Sequence, residues 1–166
     1  MSASLHHPEG LKWIADVVEI SALISAVLHV CHPELYRAGL TCMDRLSADS
    51  DFTSILEVWS SVFNGVSVIA NRETPMHRDG QSRPEWYDVL CTFGGDDDTV
   101  LELEDLGIRL LYRAGTIVAL SGQLLSHGVC ATTAERICYA YWMRDCIHEE
   151  MQVKAPGWMD REIYNV

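Results

Sequence analysis

Apolar residues recur at helical spacing through the first third of the chain. Trp13, Val17, Ile20, Ile24, Val27 and Cys31 follow at steps of four, three, four, three and four, which puts them on one helix face. Pro8-Glu9 opens that helix and His32-Pro33 closes it. The pattern predicts a second helix over 33–46 and a third over 52–63, stopped by Asn64-Gly65. Trp13 and Trp59 read as core residues on these helices. Beyond Gly65 the period changes. Short runs rich in Val, Ile, Leu and Tyr alternate with Gly, Asp and Ser breaks. Eight strands are predicted, over 66–70, 74–79, 86–93, 100–104, 108–112, 116–121, 124–129 and 137–143. Eight short strands with tight turns indicate a β sandwich or barrel, with the helices packed against it. The expected organisation is a helical brace over 1–64, a β core over 65–148 and a tail over 149–166, all within one domain.

Size and charge narrow the function. The 166 residues can bury roughly 70% of their unfolded surface, so the core needs no disulfides. Twenty-four acidic residues face twelve basic ones, a net charge of −12. That excludes a generic nucleic-acid coat or a polybasic membrane anchor. Only Lys12 and Lys154 are lysines; the other basic residues are arginines. The six cysteines include no CxxC spacing. The apolar run 20–31 ends in a lipobox-like string, but Asp16 and Glu19 precede it where a leader needs positive charge. Reduced thiols and an intracellular location are expected, and no apolar run is long enough for a membrane span.

The chemistry sits in the β region. His77-Arg78-Asp79 is an HxD triplet, and alternation along a strand or its exit puts both outer side chains on one face. His127, on the predicted seventh strand, can add a second imidazole. Two imidazoles and a carboxylate form a facial triad that suits Fe(II) and leaves positions open. Arg136 opens the predicted last strand, and Gly115 to Gly122 leads into His127.

These motifs resemble the Fe(II)- and 2-oxoglutarate-dependent dioxygenases, and within them the TET/JBP nucleic-acid oxygenases. His77-Arg78-Asp79 is similar to their HRD, and Arg136-Ile137 to the arginine that opens their last strand. The segments 71–80, 83–88 and 137–145 resemble short TET/JBP-like proteins of mushroom-type fungi. The resemblance covers about residues 65 to 150. It implies an α+β fold with a double-stranded β-helix, a jelly-roll core of the cupin kind, braced by the N-terminal helices. It implies Fe(II), 2-oxoglutarate and O2 as cofactors, with His77, Asp79 and His127 as iron ligands. Arg136 would bind the far carboxylate of 2-oxoglutarate, with Arg144 as a second contact. The implied substrate is nucleic acid with a methylated base, 5-methylcytosine first and N6-methyladenine second, and the implied location is nuclear. One position departs from the TET proteins. Five residues after the proximal histidine they carry an asparagine that contacts the flipped base, and Ser82 stands here.

Several residues keep two readings. Arg136 could instead pair with Glu135, and Arg144 with Asp145. Trp86 and Tyr87 are candidates to clamp a base, or core residues. Asp88 is an uncomfortable core residue and a substrate candidate. Arg72, Arg78 and Arg83 would leave a mildly positive rim for phosphates, unless Glu73 and Glu85 neutralise them. His148 is expected to be exposed, and Cys130 to be a buried small residue, with a thiol near the iron as the alternative. His6, His7, His29 and His32 read as surface or capping residues, and Asp96-Asp97-Asp98 as a solvated turn. Besides oxidation of a nucleobase methyl, two alternatives remain: the same iron chemistry on a small molecule or protein side chain, or an inactive binding module of the same fold.

Overall fold

The structure is a computed structural model that describes residue 5 and residues 7–164. The first third is helical: α1 (Pro8–Asp16), α2 (Val18–Cys31), α3 (Pro33–Ser47) and the single turn α4 (Thr53–Leu56). The predicted first helix is two. It breaks at Val17, and α1 and α2 meet at a bend of 56°. The break lets Trp13 set its ring edge against Tyr139 while α2 turns a different stripe inward. The fully buried stripe is Ser21, Ile24, Ser25 and Leu28, which shares Ile24 with the apolar set written in the sequence, while Ile20 and Val27 of that set pack at its edge. The Ser21 hydroxyl is 2.9 Å from the Tyr141 hydroxyl, and Ser25 donates back to the Ser21 carbonyl, so the polar members of the stripe are satisfied. His32 caps α3 through Nδ1, which accepts from the Leu35 amide, and it is fully buried.

The helix predicted over 52–63 does not extend beyond α4. Serine hydroxyls capture the amides that a helix would use: Ser61 accepts from Phe63, and Ser25 accepts from Val62. Val62 and Phe63 are thereby delivered into the core. Among the described residues no single helix is long and apolar enough to cross a membrane.

The β region forms two antiparallel four-stranded sheets. Its strands are β1 (Gly65–Ala70), β2 (Thr74–His77), β3 (Asp88–Gly94), β4 (Val100–Leu103), β5 (Ile108–Leu111), β6 (Ile117–Leu120), β7 (His127–Val129) and β8 (Arg136–Trp142). One sheet runs β1-β8-β3-β6 and the other β2-β7-β4-β5, a jelly roll. All eight predicted strands are present with shifted ends. β3 begins at Asp88, because Trp86 closes a turn with its amide on the Arg83 carbonyl. β7 begins at His127, and the residues before it form the turn that aims it.

Alternation divides the first sheet between two cores. Val89 and Cys91 of β3 and Tyr141 of β8 face the helices, where they join Ile24, Leu28, Leu35 and Trp86. The even-numbered residues of β8, from Arg136 to Trp142, face the other sheet. There Cys138 packs with Leu101, Leu103, Tyr112, Leu120 and Val129. A short helix α5 (Asp145–Glu150) then returns the chain to the helical side.

Some expectations are corrected here. His148 is buried at 1% exposure, with its ring tilted against Trp86, because α5 folds it inward. Cys130 is exposed on the chain leaving β7. Asp96 is more than a solvated turn residue: its Oδ2 accepts from the Thr132 and Thr133 hydroxyls and the Thr133 amide, which holds its carboxyl below the usual range. His6 lies outside the described residues.

Candidate active site

A cavity of about 580 Å3 opens between the sheets and is lined by His77, Asp79, His127 and Arg136. His77 and His127 face each other in register across β2 and β7, with ring centroids 4.4 Å apart. Each ring is oriented in the same way. Nδ1 of His77 sits 2.9 Å from the Pro75 carbonyl, and Nδ1 of His127 sits 2.9 Å from the Leu125 carbonyl. Both Nδ1 atoms therefore donate a proton to a carbonyl, which leaves Nε2 of each ring as its candidate ligand atom. Those two Nε2 atoms lie 3.7 Å from opposite oxygens of Asp79. One potential ligand atom from each of the three residues lies within 4.8 Å of the others. Two imidazoles and a carboxylate converging from one side suit a divalent iron.

Asp79 lies just past the end of β2. Its amide donates to the Gly122 carbonyl at 2.9 Å, which pins the loop that carries it. Gly122 is also a steric requirement. A Cβ there would collide with Oδ2 of both Asp79 and Asp88. Gly122→Ala is expected to cost about 1–3 kcal/mol of stability through overpacking, and to weaken metal binding by displacing Asp79. Thermal unfolding and a metal titration check both; an unchanged metal affinity would mean that Asp79 can shift without consequence.

Arg136 is 2% exposed, at the start of β8. Its backbone is clamped by Asn71, whose Oδ1 accepts from the Arg136 amide at 2.7 Å and whose own amide donates to the Arg136 carbonyl at 2.8 Å. Asn71 adopts a left-handed φ of 51° to make both bonds, a conformation asparagine tolerates. The guanidinium donates through Nε to the Thr92 hydroxyl at 3.0 Å and lies 4.9 Å from the centre of the Tyr112 ring. Among the described residues no carboxylate pairs with it, Glu135 included. Burial pushes the Cys138 thiol and the Tyr112 hydroxyl upward, so both neighbours stay neutral and give it no counter-charge. A buried cation without an anion is costly. Facing a cavity, it calls for an anionic ligand with planar, two-oxygen geometry.

The other predicted site residues divide. Asp88 lines the cavity and is 4% exposed. Burial pushes its carboxyl up to about 7, the Asp79 charge adds to the rise, and the Gly122 amide works against it. That amide does not reach hydrogen-bonding geometry, and neither Asp88 oxygen has a partner. Arg144 lies beyond the end of β8, at the N-terminus of α5, yet still lines the cavity, where its guanidinium covers the Trp142 ring at 4.8 Å. Its expected ion pair with Asp145 is absent, because Asp145 pairs with Arg83 at 2.7 Å. Arg83 and Arg78 do not line the cavity: Arg78 bonds Asp105 at 2.7 Å and the Leu124 carbonyl at 3.1 Å. The expected positive rim therefore reduces to Arg72 and Arg144. Trp86 and Tyr87 are corrected as base clamps. Trp86 is core, with its indole N–H on the Pro156 carbonyl, and Tyr87 packs edge-on against His32.

Four supporting residues were not singled out from the sequence: Asn71, Thr92, Tyr112 and Trp142. Only Trp142 carried a signal, since it shares the parity of Arg136 on β8. Its ring lies where a Gly65 side chain would be, and its indole N–H donates to the Ser67 hydroxyl at 3.0 Å.

A family model described as Tet_JBP, the oxygenase domain of the 2OGFeDO superfamily, matches residues 2–145. No curated protein matches the chain. Among solved structures, NgTET1 in complex with 5mC DNA is similar in fold, with a TM-score of 0.65 and 14% identity. The match covers 99% of this chain and 61% of that one, so the chain spans less than two thirds of that neighbour. With residues 2–145 matched, the chain belongs to the Tet_JBP family of oxygenase domains, whose superfamily uses Fe(II), 2-oxoglutarate and O2.

Proposed function

We propose that this dioxygenase oxidises the methyl group of a modified nucleobase, 5-methylcytosine first and N6-methyladenine second. The observation that carries the reading is one cavity joining the His77, Asp79 and His127 ligand atoms to the unpaired guanidinium of Arg136. In this reading His77 and His127 hold iron through Nε2, and Asp79 holds it through its carboxylate. Arg136 binds the far carboxylate of 2-oxoglutarate with two parallel hydrogen bonds, and Thr92 and Tyr112 keep its plane fixed. Bound iron with 2-oxoglutarate and O2 supplies oxidative attack on an unactivated C–H bond. The chain itself aligns the methyl group, with Ile69, Leu90, Leu101 and Val129 as apolar walls of the cavity.

Trp142 and Arg144 support the nucleobase as substrate. The Arg144 guanidinium, held over the Trp142 ring, offers a planar cationic face for a base drawn out of its strand or for its phosphate. The similar fold of a protein solved with 5mC DNA points the same way. Net charge limits the grip. With −12 overall and Arg78 and Arg83 already paired, Arg72 and Arg144 hold the strand, so binding should be weak and salt-sensitive. That acidity favours a second reading, the same chemistry on a small molecule or protein side chain. Mass spectrometry of nucleosides, after incubating the iron-loaded protein with methylated oligonucleotides and 2-oxoglutarate, separates the two. Hydroxymethylated base is the expected product. Succinate formed on other substrates with every methylated base intact would favour the second reading.

A further inference from the structure

We propose that Asp88 is the specificity residue of this cavity: it accepts a hydrogen bond from the exocyclic amino group of the target base, which restricts the substrate to amino-bearing bases and excludes thymine. The inference rests on the nucleobase reading and sharpens it.

Asp88 heads β3 and points with Leu90 to the interior side of the sheet. It is 4% exposed, and neither of its carboxylate oxygens has a hydrogen-bond partner. The hydroxyl of Ser82, which lines the same cavity, is also buried and unpartnered. A buried carboxylate left without donors is a strong demand on whatever fills the space beside it. The chain does not meet that demand. Among the described residues Arg136, Arg72 and Arg144 form no ion pair with Asp88. The charge that acts on it is that of Asp79, whose carboxylate brings acceptors.

The cofactors do not meet it either. Asp88 is not among the residues whose ligand atoms converge for a metal. The dicarboxylate 2-oxoglutarate carries negative charge and acceptors, and its anchoring cation is Arg136. The Ser82 hydroxyl can offer one hydrogen, and a substrate N–H is the donor that can answer the carboxylate directly.

Covalent geometry then selects the substrate. In 5-methylcytosine the methyl and the amino group sit on adjacent ring carbons. In N6-methyladenine the methyl sits on the amino nitrogen, which keeps one N–H. A methyl presented to the His77, Asp79 and His127 cluster therefore brings an N–H beside it. Asp88 is placed for that N–H, because its Oδ2 crowds the same point above Gly122 as Oδ2 of Asp79. Thymine would put a carbonyl oxygen there. Acceptor against acceptor in a buried site is rejected far more strongly than a missing methylene would be.

The test uses the full chain at pH 8 and oligonucleotides with one modified base: 5-methylcytosine, thymine, or 5-methylpyrimidin-2-one, which has the methyl and lacks the amine. Wild type should favour 5-methylcytosine over each of the others by at least tenfold in kcat/KM. Anaerobic binding by fluorescence anisotropy should rank the three in the same order. Asp88→Asn, which adds an N–H at that position, should lower the preference for 5-methylcytosine over thymine by at least tenfold. Equal use of the three bases by wild type would overturn the inference, as would an Asp88→Asn protein that keeps the wild-type ratio. Should that variant fail to fold, the wild-type series decides alone. If wild type oxidises no methylated base while still forming succinate, the nucleobase reading falls and takes the inference with it. If it oxidises 5-methylcytosine without discrimination, the inference alone falls.

Discussion

His127→Ala is expected to weaken iron binding on the order of a hundredfold or more and to abolish conversion of 2-oxoglutarate to succinate, with the jelly roll intact. Losing a residue that only orients a metal ligand already costs about 10- to 100-fold, and His127 supplies a donor atom itself. Its side chain is 7% exposed, and its Nδ1–H is fixed on the Leu125 carbonyl, so its Nε2 is preorganised toward Asp79. Asp79 and His77 are 46% and 40% exposed, and they would be left as an open pair without a fixed third donor. The stability cost should stay near 1–2 kcal/mol, because the lost ring borders an existing cavity rather than a closed core. Isothermal titration with Fe(II) under anaerobic conditions, a succinate assay and circular dichroism read the three parts separately. An unchanged iron affinity would place the metal centre elsewhere.

The grouping of His77, Asp79 and His127 was legible because its information is local. An HxD spacing, one later histidine and one strand-opening arginine survive any rearrangement of the scaffold. The β strands were legible for the same reason, through alternation and turn residues. Features that depend on distant partners were not. Arg78 and Arg83 stand beside Asp79 and Glu85 in sequence, yet fold onto Asp105 and Asp145. The apolar stripe of 13–31 reads as one straight helix. The docking of Trp13 on Tyr139 and of Ile24 and Leu28 on the sheet needs two directions, so the chain bends at Val17. Local propensity loses there to tertiary packing. His148 reads as an exposed residue at the end of the β core and is buried because α5 turns back beneath Trp86. The unpartnered state of Asp88 could not be read at all, since it is a property of what does not reach it.

Arg136→Met is expected to separate the two roles of a buried charge. Methionine fills a similar unbranched volume without the cation. In the ligand-free protein the guanidinium is buried with a Thr92 hydrogen bond, a Tyr112 face and no carboxylate. Replacing a buried charge by a well-packed apolar side chain often gains about 1–4 kcal/mol, so the Tm of the ligand-free variant should rise. Binding should move the opposite way. Removing one partner of a buried charge pair costs about 2–5 kcal/mol, which raises the 2-oxoglutarate requirement on the order of a hundredfold or more. The two effects meet in one measurement. Adding 2-oxoglutarate should raise the Tm of wild type by mass action and leave the variant unmoved. Arg136→Lys should fall between them, because an ammonium keeps the charge and loses the paired donors. A variant with a lower Tm and an unchanged 2-oxoglutarate requirement would make Arg136 a brace for β8 rather than the cosubstrate anchor.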